Sequence, residues 1–278
     1  SAGQSLAYHY FQPSAGPVSA DPLPYYIAAP NLLIRLDSQL SAARFESAPD
    51  LIALYKRHCA QLVSECQPLN SYQDDVRQIL DSYMRGTSSD SYYTLMTQPC
   101  LGRYYTRARI RRHLRPDLPE REAFLEMCDP RFARLRELEG DYYTVFTESG
   151  LRELAATGVP ADLPPELVLP IDLATRRELL TEFRADIAAG RVHACVSDME
   201  KLPIPPYLTL TCDPRYGVHL YATQGFIGGI YACNLHIEES GIGQAFCDFI
   251  RTLPQSRYVW PPDRTLALLD ELLQGLKA

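Results

Sequence analysis

A strand-to-helix unit recurs along this chain, and the recurrence constrains the fold more than any other feature of the sequence. Residues 142–151 read YYTVFTESGL and residues 92–101 read YYTLMTQPCL, so both tyrosines, both threonines and the leucine agree. The aromatic and β-branched residues favour a strand, and Thr147 suits the cap of a following helix. A shorter echo, IEESGIGQAF, occupies residues 237–246. The unequal spacing excludes a solenoid. Two interpretations remain: one folding solution reused within a domain, or chance similarity between strand-to-helix junctions.

The N-terminal third predicts an extended arm followed by a helical hairpin. Residues 12–30 are rich in proline, which disfavours regular helix. Apolar residues recur at helical spacing over residues 47–66, and Ser71 can cap a second helix. Two helices joined by a short turn form an antiparallel hairpin. We therefore predict an arm and helical hairpin over residues 1–86, ending in the loop of residues 86–90.

The remainder of the chain mixes strands with helices. Its last third has four strand-like runs, at residues 192–196, 207–212, 218–222 and 230–237. Three of these runs in succession predict an antiparallel meander. Helical patterns occur at residues 173–187, and also at 119–128 and 130–138, where Asp129-Pro130 separates two helices. The predicted fold class is therefore α/β to α+β, with residues 87–278 as a mixed α/β regulatory domain.

Composition and charge narrow the class of protein. The net charge of −7 and the isoelectric point near 5.4 argue against a whole-protein nucleic-acid binder, because such binding needs a basic surface. The eight cysteines contain no Cys-x-x-Cys pair, which indicates reduced thiols in a cytosolic protein. No apolar run approaches the length of a membrane span. We therefore expect a cytoplasmic protein without membrane contact, and the start at Ser1 without Met suggests an excised fragment.

An arginine run at residues 103–115 is the most prominent local feature, with six arginines and no acidic residue. Arg103, Arg107 and Arg111 lie four residues apart, so they share one face if the segment is helical. Guanidinium groups clustered in this way can hold a phosphate or a carboxylate. The alternative is a solvated face whose arginines pair with acids such as Glu120 and Glu122.

Motifs for catalysis and cofactor binding are weak. The chain has no His-Glu-x-x-His motif, no Walker loop and no dinucleotide-binding glycine motif, so we predict no cofactor, no metal and no catalytic residue. A metal site assembled from His193, His219 and His236 on separate strands remains an alternative. Ser149 and Ser240 follow a glutamate at strand-to-helix turns, where a nucleophile could lie, although helix capping also explains them.

Tyrosine is abundant, with 18 residues, and paired tyrosines begin at residues 25, 92, 104 and 142. On a strand, one member of each pair faces the core and the other faces the opposite surface. Tyrosines lining a cleft would form an amphipathic ligand pocket. Ordinary packing with satisfied hydroxyl groups is the alternative.

Three segments resemble the C-terminal regulatory region of bacterial helix-turn-helix transcriptional regulators. They are residues 142–158, 163–167 and 237–249, and with the terminal amphipathic helix they extend over residues 90–278. The resemblance implies an effector-binding and dimerisation region whose DNA-binding domain lies upstream. No segment here has the pattern of a helix-turn-helix with a basic recognition helix, so no residue of this chain is assigned to DNA binding.

The function predicted from these observations is a non-catalytic sensing and dimerisation region of a bacterial transcription regulator. Its expected partners are a small-molecule effector that could be anionic, a second copy of the chain, and DNA only through an upstream domain. We expect the effector near the strand ends and the arginine run. The predicted ligand-binding residues are Arg103, Arg107, Arg111, Tyr142, Thr147 and Glu148.

Two other classes of function remain open from the sequence. A cytosolic enzyme acting on a small phosphorylated or carboxylated substrate would use an arginine clamp, with Glu or His as acid or base. A structural protein-interaction module would have no cleft. A cleft with hydrogen-bonded titratable groups would favour the enzyme, and a cleft with only tyrosines and arginines would favour sensing.

Overall fold

The computed structural model describes residues 7–9, 23–73, 91–161, 163, 167–206, 208–222 and 233–276. Contacts divide the chain into two units, one formed by Ser5–Leu69 and the other by Asn70–Ala278 together with Ser1–Gln4. The predicted domain boundary at residues 86–90 lies outside the described residues. Each unit has its own sheet.

The smaller unit packs a helix against a three-stranded antiparallel sheet. Its elements are β1 (Tyr8–His9), β2 (Tyr25–Ala28), β3 (Leu33–Leu36), β4 (Ala43–Glu46), α1 (Pro49–Glu65) and β5 (Gln67–Pro68). Strands β2, β3 and β4 form the sheet, and β1 pairs with β5. Pro49 lies in the first turn of α1, where its missing N–H costs no intrahelical bond. The ring of Tyr55 on α1 meets the ring of Tyr26 on β2, with centroids 4.8 Å apart.

The larger unit is built on a seven-stranded mixed sheet. Its strands are β6 (Asn70–Gln73), β7 (Ser91–Met96), β8 (Asp141–Phe146), β9 (His193–Val196), β10 (Leu208–Asp213), β11 (Gly217–Ala222) and β12 (Cys233–Ile237). Their spatial order is β6-β12-β11-β10-β7-β8-β9. Strands β7, β8 and β9 run parallel, and the other pairs are antiparallel. The predicted mixed class is confirmed, and β10, β11 and β12 are its antiparallel meander.

Helices lie on both faces of this sheet. They are α2 (Arg107–His113), α3 (Arg121–Glu137), α4 (Glu148–Thr157), α5 (Leu173–Ala188), α6 (Ser240–Thr252) and α7 (Pro262–Gly275). Helices α4, α5 and α7 pack around the fully buried rings of Tyr142, Phe146 and Phe183. Helix α6 packs on the opposite face, where Ile250 joins the cluster of Val145. None of the helices in the described part of the chain has the length and apolar character of a membrane span.

The two most similar copies of the repeated unit lie side by side. Strands β7 and β8 pair in parallel with Tyr92 opposite Tyr142, so residues that match in sequence are neighbours in the sheet. Both the N–H and the hydroxyl group of Thr147 donate to the carbonyl oxygen of Thr97, at 3.1 and 2.9 Å. The copies differ after the strand, because β8 leads into α4 whereas β7 leads into a 3₁₀ turn at Gly102–Tyr104.

The predicted helical hairpin is not confirmed. Its first helix corresponds to α1, which has Ala48 at its N-cap position. Residues 70–73, where Ser71 is predicted to start the second helix, form β6 and pair with β12. Pairing with a neighbouring strand satisfies the backbone groups that a helix would otherwise bond locally. Residues 74–84 of the predicted helix lie outside the described residues.

Helix α3 is continuous, although the sequence predicts two helices separated at Asp129-Pro130. Pro130 lies inside the helix, where proline costs about 3 kcal/mol. Leu125, Cys128 and Leu135 are buried along one side of both halves. Burying a large apolar side chain contributes about 1.5–3 kcal/mol, so the shared packing of the two halves outweighs the local effect of proline.

Candidate functional site

Helix α2 carries the arginine run and forms one wall of a cavity. Thr106 caps the helix, and its side chain accepts a hydrogen bond from the N–H of Arg109 at 3.3 Å. Ile110 and His113 lie one turn apart on the buried side of the helix. The arginines occupy the remaining surface, so α2 separates charge on its outside from apolar packing on its inside.

Residues 167–171 are held against the ends of α2 and α4 by backbone hydrogen bonds. The N–H of Leu169 donates to the carbonyl oxygen of His113 at 2.7 Å, and the N–H of Ile171 donates to that of Gly158 at 2.8 Å. Gly158 has a left-handed backbone with φ of 73°, and a Cβ there would lie 2.2 Å from the carbonyl oxygen of Ile171. Only glycine fits this close approach of two backbone segments.

A largely apolar cavity lies between α2, α3 and residues 167–171. It encloses about 460 Å³ of space between atoms, a figure that includes space open to solvent. Aromatic and aliphatic side chains dominate its walls. The lining includes Ile110, His113, Phe124, Cys128, Phe132 and Val168.

His113 lines this cavity and carries a buried polar atom that makes no hydrogen bond among the described residues. Only 6% of the residue is exposed, and its Nε2 makes no hydrogen bond to any residue that the structure describes. Asp172 Oδ2 lies 4.0 Å from Nε2, which is beyond hydrogen-bonding distance. Burial lowers the pKa of His113, and the carboxylate of Asp172 opposes that change less strongly. The imidazole is therefore neutral at physiological pH and has a hydrogen-bonding nitrogen available for a ligand.

Cys128 is the other chemically reactive side chain of the lining. It is 1% exposed, and burial raises the pKa of its thiol to about 12. A cysteine acts as a nucleophile through its thiolate, which is scarce at physiological pH when the pKa is so high. Cys128 therefore contributes apolar packing to the cavity.

The arginines of α2 are paired with acids from the two neighbouring helices. Arg109 lies 2.6 Å from Glu182 of α5. Arg107 and Arg111 lie 3.7 and 2.5 Å from Glu122 of α3. Arg107 and Arg111 share a helix face, as the spacing predicts, and acids contact that face.

Arg103 lies outside α2, in the 3₁₀ turn that precedes it. Its guanidinium group donates to the carbonyl oxygen of Leu138 at 2.8 Å, just beyond the end of α3, and lies 3.3 Å from Asp186. It also lies over the ring of Tyr142, with its Cζ 5.9 Å from the centroid. Because a new helix begins after Thr106, Arg103 cannot share the face of Arg107 and Arg111.

The other predicted ligand-binding residues have roles in packing, capping and surface pairing. Tyr142 is fully buried and donates its hydroxyl group to the carbonyl oxygen of Cys100 at 3.0 Å, and burial raises its pKa well above the ordinary value. Thr147 caps α4. Glu148 pairs with Arg152 at the surface, at 2.8 Å. None of the six predicted residues is among the residues lining the cavity beside α2.

The three histidines considered for a metal site do not meet. His219 and His236 are neighbours on β11 and β12, with ring centroids 5.2 Å apart. His193 lies on β9, and three strands separate it from β11, a distance of roughly 19 Å at the usual strand spacing. Its ring stacks on Tyr143, with centroids 4.4 Å apart. Within the described ranges, no three potential ligand side chains cluster in a way that could hold a metal ion.

The two serines considered as nucleophiles lie in the first turns of helices. Ser149 Oγ is 3.2 Å from Oγ1 of Thr147, the residue that caps α4. Ser240 is the first residue of α6. The carboxylate of Glu239 accepts a hydrogen bond from the N–H of Ile242 at 2.6 Å, so this glutamate caps the helix. The geometry supports the capping interpretation of both turns.

The sequence contains an apolar spacing pattern that predicts one wall of this cavity, although the arginine run is the more prominent feature of the same segment. Ile110, His113 and Leu114 follow the i, i+3, i+4 spacing of one helix face, and all three are buried. That spacing identifies the inner side of α2. It does not identify α3 or residues 167–171 as the opposite walls, because those contacts join distant parts of the chain.

No family model, no curated protein and no solved structure matches this chain. The site is therefore interpreted from its own geometry.

Proposed function

We propose that this chain is the non-catalytic sensing region of a bacterial transcription regulator, and that it binds a small, largely apolar effector in the cavity beside α2. The observation that carries the proposal is that His113, whose buried Nε2 makes no hydrogen bond among the described residues, is one of the residues lining this cavity. A buried polar group left unsatisfied costs about 1–3 kcal/mol. A ligand that forms a hydrogen bond with His113 removes this cost.

The properties of the lining support sensing over catalysis. The thiol of Cys128, with its pKa near 12, is a poor nucleophile at physiological pH. Arg107 and Arg111, which an enzyme of phosphorylated substrates would use as a clamp, are paired with Glu122. The remaining lining is mostly aliphatic and aromatic, which favours reversible binding of an apolar molecule.

The regulatory part of the proposal comes from the resemblance of residues 142–158, 163–167 and 237–249 to the effector-binding regions of bacterial regulators. In this proposal the protein is cytoplasmic, forms a homodimer, and contacts DNA only through a domain upstream of Ser1. The coding sequence immediately upstream of Ser1 tests this part. A helix-turn-helix domain is expected there, and an upstream sequence without any DNA-binding domain would refute the regulatory role while leaving ligand binding intact.

Ligand binding is tested with N-phenyl-1-naphthylamine, an apolar fluorescent amine. We expect saturable binding of one molecule per chain. Leu169 lines the cavity, so the larger side chain of Leu169→Trp should fill the space. We expect this variant to bind the probe at least about tenfold more weakly than the wild type, a difference of about 1.4 kcal/mol. Leu54→Trp is the matched control, because Leu54 is 52% exposed on α1. Equal probe affinity in wild type, Leu169→Trp and Leu54→Trp would exclude this cavity as the site.

The role of His113 is tested with a second variant, which removes the imidazole and leaves the cavity unfilled. We expect His113→Ala to reduce probe affinity about fivefold to tenfold, which corresponds to one lost hydrogen bond. The control is His58→Ala, because His58 is an exposed residue of α1. Equal affinities for the two variants would show that His113 does not contact the probe.

A further inference from the structure

The cavity beside α2 is lined by side chains that carry no charge. Within the described part of the chain, none of the lining residues is an aspartate, a glutamate, a lysine or an arginine. Burial lowers the pKa of His113, so its imidazole is also neutral at physiological pH. A charged ligand would lose its hydration on entering this cavity without gaining an opposite charge from these residues. The lining therefore favours an uncharged ligand.

Two charged groups beside His113 have opposite signs and lie close to each other. The Oδ2 atom of Asp172 lies 4.0 Å from Nε2 of His113 and 3.9 Å from Nη1 of Arg112. The N–H of Thr175 donates to the carboxylate at 2.9 Å, and this bond lowers the pKa of Asp172. The carboxylate is therefore ionised at physiological pH. Because Arg112 balances its charge, this side of His113 needs no charged ligand.

The distance between His113 and Asp172 suits a hydroxyl group. A neutral imidazole nitrogen is a donor in one tautomer and an acceptor in the other, and a hydroxyl group can match either role. Nε2 and Oδ2 are 4.0 Å apart, which is less than the sum of two hydrogen bonds of about 2.7–3.0 Å each. One oxygen can therefore bond to both atoms, accepting from Nε2–H and donating to the carboxylate. An ether or carbonyl oxygen can only accept.

We infer that the ligand is an uncharged apolar alcohol or phenol, whose hydroxyl group binds between His113 and Asp172 and whose body lies in the cavity beside α2. This inference rests on the proposed ligand-binding function. The hydroxyl group forms a hydrogen bond with Nε2 in either tautomer. A carboxylic acid would bring a second negative charge close to Asp172, and like charges repel each other.

The test compares three ligands with the same apolar body: para-butylphenol, para-butylanisole and para-butylbenzoic acid. Each displaces N-phenyl-1-naphthylamine from the wild-type chain at neutral pH, where the phenol is neutral and the acid is ionised. We expect the phenol to bind at least about fivefold more tightly than the ether, which has no proton to donate. It should bind at least about tenfold more tightly than the carboxylate. Both ratios are measured on the wild-type protein.

One variant assigns the preference for a hydroxyl group to His113. We expect the ratio of phenol to ether affinity to fall to about one in His113→Phe, because the ring remains while both nitrogens are lost. His58→Phe is the matched control, since His58 is exposed on α1, and its ratio should equal that of the wild type. Circular dichroism checks that both variants are folded. An unchanged preference in His113→Phe would overturn the assignment, because the hydroxyl group would then bind elsewhere.

A second variant tests the charge balance beside His113. Asparagine caps a helix about as well as aspartate, so Asp172→Asn keeps the cap of α5 and leaves the charge of Arg112 unbalanced. We expect the ratio of phenol to carboxylate affinity to fall at least about fivefold in this variant. Asp117→Asn is the control, because the Asp117 side chain is exposed and pairs with Arg115. Equal ratios in the two variants would contradict the position of the hydroxyl group beside Asp172.

The outcomes separate this inference from the proposed function. If N-phenyl-1-naphthylamine does not bind the wild-type chain, the proposed function fails and the inference fails with it. If the probe binds and the ether displaces it as well as the phenol does, the sensing function stands and the assignment of a hydroxyl ligand is wrong. Tighter binding of the carboxylate than of the phenol would also overturn the assignment, because the ligand would then be an anion.

Discussion

Arg109 of α2 binds Glu182 of α5 through two hydrogen bonds, 2.6 and 3.2 Å long, one from each terminal nitrogen of its guanidinium group. The same group reaches Glu178 at 3.0 Å and the carbonyl oxygen of Tyr104 at 2.7 Å. Ile110, the next residue on α2, lines the candidate ligand cavity. The ion pairs on the outside of α2 therefore hold in place a wall of the site on its inside.

Removal of the charge at Arg109 should loosen this wall. The arginine side chain is 17% exposed, so its pairs are better shielded from water than an ordinary surface ion pair. We expect Arg109→Met to lower the free energy of unfolding by about 1–2 kcal/mol in urea titrations. The affinity for N-phenyl-1-naphthylamine should fall as well.

Arg115→Met is the control for Arg109→Met. Arg115 pairs with Asp117, whose side chain is 69% exposed, and an exposed pair contributes less than about 1 kcal/mol. A loss of stability in Arg115→Met as large as that in Arg109→Met would contradict the special role of Arg109.

Stability should depend on pH through His113. Burial lowers the pKa of this histidine in the folded chain below the unfolded value of about 6.5. The unfolded chain therefore binds the proton more readily, so the contribution of His113 to stability is fully present above about pH 6.5. It is lost as the pH falls from there through the folded pKa. Probe affinity should decrease over the same range.

The contribution of His113 is found by comparing the wild type with a variant that lacks the imidazole, because other groups also titrate in this pH range. Asp172 raises the pKa of His113 and Arg112 lowers it, both less than burial does. We expect the unfolding free energy of His113→Gln to change less between neutral and mildly acidic pH than that of the wild type. His58→Gln should follow the wild-type curve. Parallel curves for all three proteins would rule out His113 as the source of the pH dependence.

Gly150 should tolerate no side chain. It lies in the first turn of α4, and a Cβ there would come 2.0 Å from the carbonyl oxygen of Thr97. Gly150→Ala must separate the start of α4 from the end of β7, which we expect to cost about 3 kcal/mol of unfolding free energy. Thermal unfolding measures the loss.

Gly275→Ala is the matched glycine substitution. A Cβ at Gly275, in the last turn of α7, meets no atom within 4 Å. Alanine is favoured over glycine in a helix by roughly 0.5–1 kcal/mol, so this variant should be unchanged or slightly more stable. If Gly150→Ala proves as stable as Gly275→Ala, that result would contradict the close contact between Gly150 and the carbonyl oxygen of Thr97.

Thiol labelling should distinguish buried from exposed cysteines. Burial raises the pKa of Cys128 and of Cys195 to about 12, whereas Cys59 is exposed. Under limiting iodoacetamide at neutral pH, peptide mass spectrometry should find Cys59 modified well before the other two. Labelling in urea should remove the difference. Equal rates for Cys59 and Cys128 in the folded protein would show that the cavity lining is open to the reagent.

Local sequence patterns predict much of the secondary structure correctly. A run of aromatic and β-branched residues identifies β7 and β8, and helical spacing identifies α5. Thr147 has the capping role that its position indicates. These predictions succeed because side-chain direction within a strand or helix, and the capping of a helix start, depend on neighbouring residues.

The same local reasoning is wrong where distant parts of the chain supply the stabilising contacts. Pro130 does not interrupt α3, because both halves of the helix bury apolar side chains against other parts of the domain. Ser71 does not start a helix, because residues 70–73 pair with β12 instead. In both cases the energy of packing or pairing with a distant segment exceeds the local preference.

The sequence by itself determined the alternation of strands and helices, the repeated unit that becomes two adjacent parallel strands, and the inner face of α2. Only the tertiary structure decided what that face encloses. The acids that pair with Arg107 and Arg109 lie 15 or more positions further along the chain. Charge balance, burial and the shape of a cavity depend on which distant segments meet in space. They place the conspicuous arginine run on the outside of the site and make one inconspicuous residue, His113, its candidate polar contact.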